Sequence, residues 1–327
     1  MATKQKKRNI PVDTLRGMAC IMLVAYHVIG NTPQTGLRLH EGFLKDANEL
    51  LAYIRMPLFT FLSGLVYGWR PFSDDWKAFI NGKVRRLIVP MLVVGTIFAL
   101  FQAYTPGTNS QIKEWHYLHI LPVAHYWFIE SLFVIFLAIL LLEYWKVLHT
   151  RTGFAVIYVA SAIAYVTNTG IPWFSIVGAF YLFPYFLAGL YCTRFPLQVR
   201  HARATGYITI TFVILFLVFF GHEYAGERRS LNALIIGTAA CIALLLTKAE
   251  SPWLAAIGNY SYAIYLFHVF FTAASRIALM KIGVTDIWML FTAGTIAGVT
   301  GPILFEIIAS KHNASRILFL GQSPLRR

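Results

Sequence analysis

Arg16 and His27 are the first residues whose types and spacing could support chemistry. They are eleven positions apart in one apolar stretch, residues 13–30. That separation is about three turns of an α-helix, so both side chains fall on one face, ~16 Å apart along the axis. Asp13 lies one turn before Arg16 on the same stripe. A guanidinium can hold an anion, and an imidazole can take up a proton at neutral pH.

Charged groups inside a spanning helix are costly and usually face a bundle interior or a wet cavity. Taken singly, Arg16 could snorkel to the interface and His27 could be a satisfied core residue. Because the two are aligned and His27 lies deep in the stretch, the pair favours a functional site.

Other ionisable residues interrupt later apolar stretches. Arg55 is expected just inside one membrane interface, as an anchor or as a site residue. Glu130 is expected either to pair with Arg55 or Arg276 or to belong to a polar pocket. His268 lies near the middle of its stretch, and Arg276 follows two turns later near the same face. These residues are candidates for a pocket shared with His27.

A basic segment containing Lys83, Arg85 and Arg86 precedes the third apolar stretch. Such a segment can orient the chain and contact lipid phosphate, or it can grip a phosphorylated cytoplasmic substrate. Glu306, near the inner end of the last stretch, is expected to form an ion pair with this segment.

Neither the cysteines nor the loop histidines predict a metal site or a disulfide. Cys20, Cys192 and Cys241 fall in or at the ends of separate apolar runs, without ligand or pairing spacing. The histidines of residues 105–125 also lack a recognisable zinc-ligand spacing. The prediction is therefore no bound metal.

Composition defines the elements that must position these residues. The chain has 327 residues, of which 57% are hydrophobic and 13% charged, and apolar runs of near-membrane length recur throughout. This pattern predicts an all-α, polytopic transmembrane helical bundle forming one domain over 1–327. About ten spans are expected, at residues 13–30, 50–69, 87–104, 126–145, 154–168, 174–192, 206–220, 231–247, 254–280 and 287–310.

The distribution of Lys and Arg predicts the orientation. If the basic N-terminal segment 1–12 is cytoplasmic, the inner segments hold 19 Lys and Arg and the outer segments hold 6. The positive-inside rule then places both termini, including the tail 311–327, in the cytoplasm. The net charge of +14 is explained by orientation and anionic lipid, so no nucleic-acid partner is expected.

Five motifs in order resemble the acyltransferase 3 family of integral membrane O-acyltransferases. The most specific is Arg16 followed by His27, which matches the R-x10-H motif of the family's first helix. The other four are Phe59–Gly64, Arg85-Arg86 with Pro90, His125-Tyr-Trp-Phe, and Gly258 with Ser261-Tyr and Tyr265-Leu-Phe-His268. Two departures are the missing E-x-P ending near Glu306 and the lack of an SGNH-hydrolase-like extension.

The resemblance implies transfer of an acyl group, most often acetyl, from cytoplasmic acyl-CoA to a hydroxyl of a cell-surface or lipid-linked carbohydrate. His27 would be the general base, or an acylated intermediate, and Arg16, Lys83, Arg85 and Arg86 would hold CoA phosphate. Ser63, like Arg55, is a candidate oxyanion donor, although a small residue there also suits helix packing. Acyl-CoA is then a substrate, with no permanent cofactor. The resemblance also implies a bacterial inner membrane.

Two other functions remain open. A polysaccharide transporter or flippase could use the same buried charges as a substrate path, although no internal repeat or broken helix pair is evident. A non-catalytic partner of glycan-assembly proteins would tolerate substitution of Arg16 and His27. A requirement for CoA distinguishes the enzyme from the transporter.

Overall fold

The computed structural model describes residues 8–105, 115–167, 170–224 and 228–325, and within these ranges the chain is a bundle of α-helices without a β-strand. A π-helical turn, Val84–Ile88, joins α3 to α4. The α-helices are α1 Ile10–Ile29, α2 Phe43–Gly68, α3 Trp76–Lys83, α4 Val89–Tyr104, α5 Trp127–Tyr144, α6 Arg151–Thr167, α7 Ile176–Arg194, α8 Ala202–Tyr224, α9 Leu231–Thr247, α10 Pro252–Asn259, α11 Ser261–Lys281, α12 Ile287–Ala309 and α13 Asn313–Leu320.

The predicted all-α membrane bundle is confirmed. In the described ranges, eight helical segments are long and apolar enough to cross a membrane, with α3 and α4 counted as one continuous segment. The shorter helices α6 and α9 are also apolar and coincide with the fifth and eighth predicted spans. The orientation of the termini and a total of ten spans remain predictions.

The ninth predicted span is two helices rather than one. α10 ends at Asn259, Tyr260 leaves helical geometry at φ −98° and ψ 12°, and α11 starts at Ser261. Gly258 and Asn259 are weak helix formers, which favours a break there. The first six residues of the predicted span, 254–259, therefore belong to a separate helix that packs against α1.

Two glycines bring α10 and α1 into direct backbone contact. A Cβ added to Gly17 would lie 1.9 Å from the carbonyl oxygen of Leu254, and one added to Gly258 would lie 2.0 Å from that of Asp13. Only residues without a side chain permit this approach. The contact fixes the helical turn that carries Asp13 and Arg16.

The crossing of α2 and α7 uses the same device. A Cβ on Gly64 would meet the carbonyl oxygen of Phe186 at 2.0 Å, and a Cβ on Gly189 would meet that of Phe61 at 1.9 Å. The missing side chains of Gly64 and Gly189 therefore let the backbones of α2 and α7 touch. This seam holds α2, and with it Arg55, against the middle of the bundle.

Gly64→Ala is expected to destabilise the protein by about 1–3 kcal/mol, because the added methyl forces two backbones apart. Gly82→Ala is a matched control, since a Cβ at Gly82 meets nothing within 4 Å and alanine favours the helix. Thermal unfolding in detergent should show a lower midpoint for Gly64→Ala alone. Equal unfolding midpoints for the two variants would show that α2 and α7 can move apart without a loss of stability.

A second charged cluster lies at the other end of the bundle from His27, where α5 and α7 finish. Glu143 pairs with Arg194 at 2.6 Å and with His149 at 3.0 Å, and it accepts a hydrogen bond from the Tyr67 hydroxyl at 3.3 Å. The Glu143 side chain is 3% exposed, and that of Arg194 is 15% exposed. These contacts tie together the ends of α2, α5 and α7.

The expected ion pair of Glu306 with the basic segment is wrong. Glu306 instead accepts a hydrogen bond from Gln322 Nε2 at 2.8 Å, and no cation lies within ion-pair distance of it in the described part of the chain. The segment after α13 folds back and supplies this neutral partner.

Candidate functional site

Three histidine rings meet where α1 ends. The ring of His27 lies 4.8 Å from that of His268 and 5.6 Å from that of His125, centroid to centroid, and the last two are 4.9 Å apart. The sequence pattern predicted a pocket shared by His27 and His268, and the structure brings these two rings together. His125 completes the cluster.

The hydrogen bonds of His268 assign its tautomer. Its Nδ1 lies 2.8 Å from the carbonyl oxygen of Ile264 and 2.9 Å from that of Tyr265, so Nδ1 must carry a hydrogen. The neutral ring then has a lone pair on Nε2, which is buried and has no partner in the described structure. His268 therefore offers an acceptor nitrogen beside His27.

From the sequence, His125 was assigned to a family motif but was not predicted to be a site residue. It lies in the short turn Ala124–Tyr126 before α5 and is 5% exposed. The Tyr265 hydroxyl donates to the carbonyl oxygen of His125, and the Tyr126 hydroxyl donates to that of Leu266 at 2.9 Å. These bonds fasten the turn that contains His125 to α11, the helix that carries His268. Both ring nitrogens of His125 are buried without a described partner.

A cavity of about 810 Å³ lies beside His27. Its walls come from the end of α1 and the segment after it, the middle of α2, the second half of α4, the turn before α5, the start of α7 with the turn before it, the segment before α9 and the first half of α11. Its polar and aromatic lining residues are Tyr26, His27, Asn31, Thr35, Arg55, Phe98, Gln102, His125, Trp127, Ser175, Tyr181, Arg228, Arg229 and Tyr265. The volume is in the range of small-molecule sites, ~300–1,000 Å³.

Arg55 is a buried residue that lines this cavity. It is 3% exposed, its guanidinium lies 3.8 Å from the Tyr26 ring centroid, and Nη1 donates to Asn48 Oδ1 at 3.0 Å. Asn48 in turn donates to the carbonyl oxygen of Gly30 at 3.0 Å. The structure therefore orients Arg55 as a pocket residue, one of the two roles expected.

Of the two arrangements expected for Glu130, pairing with an arginine is wrong. Ser175 Oγ donates to Glu130 Oε2 at 2.5 Å, Oε1 is buried without a partner, and no cation lies within 4 Å in the described ranges. Glu130 is thus behind the cavity wall that Ser175 forms. Arg276 donates to the carbonyl oxygen of Gly36 at 2.5 Å and so supports the segment after α1.

Arg16 lies at the opposite end of α1 from this cavity. Its Nη1 is 3.2 Å from Asp13 Oδ1, so the two residues interact as their spacing indicated. The Arg16 side chain is 31% exposed and is not part of the cavity lining. Arg16 and His27 therefore mark two separate ends of the candidate site.

The remaining predicted residues are spread more widely. Lys83 is inserted over the Phe136 ring, 3.4 Å from its centroid, while Arg86 is exposed and its carbonyl accepts the Tyr262 hydroxyl. Arg85 is half-buried. Ser63 donates within its own helix to the carbonyl oxygen of Phe59 at 2.9 Å and does not line the cavity.

In the ranges that the structure describes, no group of three or more His, Cys, Asp or Glu side chains has the arrangement to hold a metal ion. The three-histidine cluster is included in that statement.

Comparison with known proteins gives one match, to a family model. The model of the acyltransferase 3 family, described as an acyltransferase domain, matches residues 9–307. No curated protein and no solved structure gives a significant match. The match includes all three clustered histidines, Arg16 and every helix from α1 to all but the end of α12. The chain therefore belongs to the acyltransferase 3 family and is a multi-pass membrane acyltransferase.

Proposed function

We propose that this acyltransferase moves an acetyl group from cytoplasmic acetyl-CoA to a hydroxyl of a cell-surface or lipid-linked carbohydrate. The observation that carries the proposal is the position of His27, on the cavity wall and in contact with two further histidines. A cavity of this size accepts a carbohydrate, and His27 is the proton acceptor within it. The proposed setting is a bacterial cytoplasmic membrane, with both termini in the cytoplasm.

In the proposed reaction, neutral His27 removes the proton from the acceptor hydroxyl as its oxygen attacks the thioester carbonyl. The new oxygen–carbon bond forms, the carbon–sulfur bond breaks, and CoA leaves as a thiolate that receives the proton from His27. His268 Nε2, buried beside His27, is available to accept a hydrogen bond from His27. Acylation of His27 followed by transfer is an alternative with the same overall balance.

Arg16 is the proposed contact for CoA phosphate. It is partly exposed at the end of α1 opposite the cavity and is oriented by Asp13. An extended donor arm reaching from Arg16 to His27 would cover the ~16 Å rise between them, past the buried residues Ala19, Cys20 and Leu23. Arg85 and Arg86 are the further candidates for phosphate contact. The burial of Lys83 over Phe136 makes it the weakest of the four.

The test is transfer of label from radiolabelled acetyl-CoA to a panel of soluble and lipid-linked glycans by the purified protein in lipid. Label is expected on a glycan, and Arg16→Gln is expected to raise the KM for acetyl-CoA about tenfold, the value of one charge-assisted contact. The acceptor KM should stay unchanged, because Arg16 is not in the cavity.

Lys311→Gln is the matched control for Arg16→Gln, since it removes an exposed cation from the same end of the bundle. Glycan movement across the membrane without any need for CoA would instead favour the transporter. Full activity in Arg16→Gln would remove Arg16 from the donor site.

A further inference from the structure

The cavity beside His27 is rich in cations. Arg55, Arg228 and Arg229 line it, and none of the lining residues in the described ranges is Asp or Glu. Glu130 is held behind Ser175 and is not part of the lining. A neutral sugar needs hydroxyl and amide partners, whereas three guanidinium groups around one cavity match an anion.

Arg55 makes the strongest case because it is buried. Its described contacts, the Tyr26 ring and the Asn48 amide oxygen, are both neutral, and no described carboxylate lies within 4 Å. A buried guanidinium without a counterion bears a desolvation cost that a bound anion offsets.

Hydrogen bonds hold the other two arginines at the cavity wall, Arg228 through its backbone carbonyl and Arg229 through its side chain. The carbonyl oxygen of Arg228 accepts the Tyr165 hydroxyl at 2.5 Å, and its side chain is exposed to the cavity. Arg229 donates to the carbonyl oxygen of Val177 at 3.0 Å and lies 5.6 Å from the Tyr181 ring centroid. Helices α6 and α7 thus hold the Arg228-Arg229 pair at the cavity wall.

The distribution of Lys and Arg along the chain makes the position of Arg228 and Arg229 unusual. The predicted loops at the cavity end of the bundle contain only 6 Lys and Arg, against 19 at the other end. Orientation in the membrane favours removing cations from the cavity end. Arg228 and Arg229 nevertheless lie at this end and line the cavity. Membrane orientation therefore does not explain why two arginines are present there.

We propose that the acceptor is an anionic glycan. Its carboxylate or phosphate is bound by Arg55, Arg228 and Arg229, while one of its hydroxyls lies at His27. The inference rests on the proposed acyl transfer and names the substrate class for that reaction. The cation cluster binds the acceptor and has no part in breaking the thioester.

The test uses protein in nanodiscs of neutral lipid, so that no lipid headgroup competes for the cations. Glucose, galactose and mannose tetrasaccharides are prepared in matched neutral, 6-carboxylate and 6-phosphate forms. Binding is measured by calorimetry, and transfer from labelled acetyl-CoA is measured separately. The variants are Arg228→Gln, Arg228→Lys and the control Lys281→Gln, which removes an exposed cation at the cavity end that does not line the cavity.

We expect at least one charged form to bind tenfold or more tightly than its neutral counterpart, an advantage of the order of one charge-assisted bond. Arg228→Gln should reduce that advantage about tenfold and raise the acceptor KM, while Arg228→Lys restores part of it. Lys281→Gln should behave as wild type. The carboxylate and phosphate forms separate the two sources of charge.

Equal binding of charged and neutral forms overturns the proposal. So does a rise in the KM for acetyl-CoA in Arg228→Gln, because the cations would then hold the donor. Transfer to neutral forms that is insensitive to Arg228→Gln leaves acyl transfer intact and refutes only the anionic acceptor. Preferential binding of a charged form that is never acylated supports the anion site and refutes the proposed reaction.

Discussion

His27→Ala is expected to lower acyl transfer by about 10²–10⁴-fold, the usual contribution of a positioned general base. The loss should fall on kcat, because the carbohydrate would still bind the other walls of the cavity. Since the alanine opens space into an existing cavity of about 810 Å³, added imidazole should restore part of the rate. Labelled-acetyl transfer by purified protein measures both effects.

His40→Ala is the control for this substitution, because His40 is exposed in the segment before α2. Thermal unfolding of both variants checks that each is folded and inserted. Wild-type turnover in His27→Ala would remove the general-base role and leave His268 or His125 as the base. A rate loss accompanied by unfolding would indicate a structural role instead.

Glu143→Ala is expected to destabilise the protein by about 3 kcal/mol, because it leaves the largely buried Arg194 without its carboxylate. His149 and Tyr67 lose a partner at the same time. Chemical unfolding followed by tryptophan fluorescence should show a lower midpoint. The acetyl-transfer activity of the protein that remains folded should persist, since the cluster is remote from His27.

The double variant Glu143→Leu with Arg194→Met is the companion measurement. Replacing both charges by apolar side chains avoids an unpaired charge and is expected to recover most of the lost stability. Glu41→Ala, at an exposed position, serves as the surface control. If the double variant is less stable than Glu143→Ala, the unpaired charge of Arg194 is not the cause.

Helical character and the first catalytic candidates could be predicted from the sequence because they depend on local patterns. Long apolar runs predict helices in a membrane, and the periodicity of one helix aligns Arg16 with His27. The break at Tyr260 was not predicted, since residues 254–280 read as one apolar run. Gly258 and Asn259 are the local signal for the break, and the close approach of α10 to Gly17 on α1 is a tertiary feature that an apolar run does not indicate.

The composition of the site was harder to predict because its residues come from distant parts of the chain. His125 and His268 are held together by Tyr265 and Tyr126, pairs about 140 residues apart in sequence. Of the two arrangements expected for Glu130, the ion pair does not form, because Ser175, 45 residues away in sequence, supplies the hydrogen bond instead. Arg228 and Arg229 could have been identified from the sequence, because they are two adjacent cations in a predicted outer loop, where the charge bias leaves few.

The glycine seams also define which movements the bundle can make. At the α1–α10 and α2–α7 crossings the backbones touch, so sliding either pair by one residue would drive a side chain into a carbonyl group. The close backbone contacts therefore prevent these helix pairs from sliding along each other. Rotation about Tyr260 is not restricted in this way, because the chain there is a single non-helical residue between two helices. Because α10 is locked to α1, which carries His27, and His268 lies on α11, a rotation at Tyr260 would change the distance between these two histidine rings.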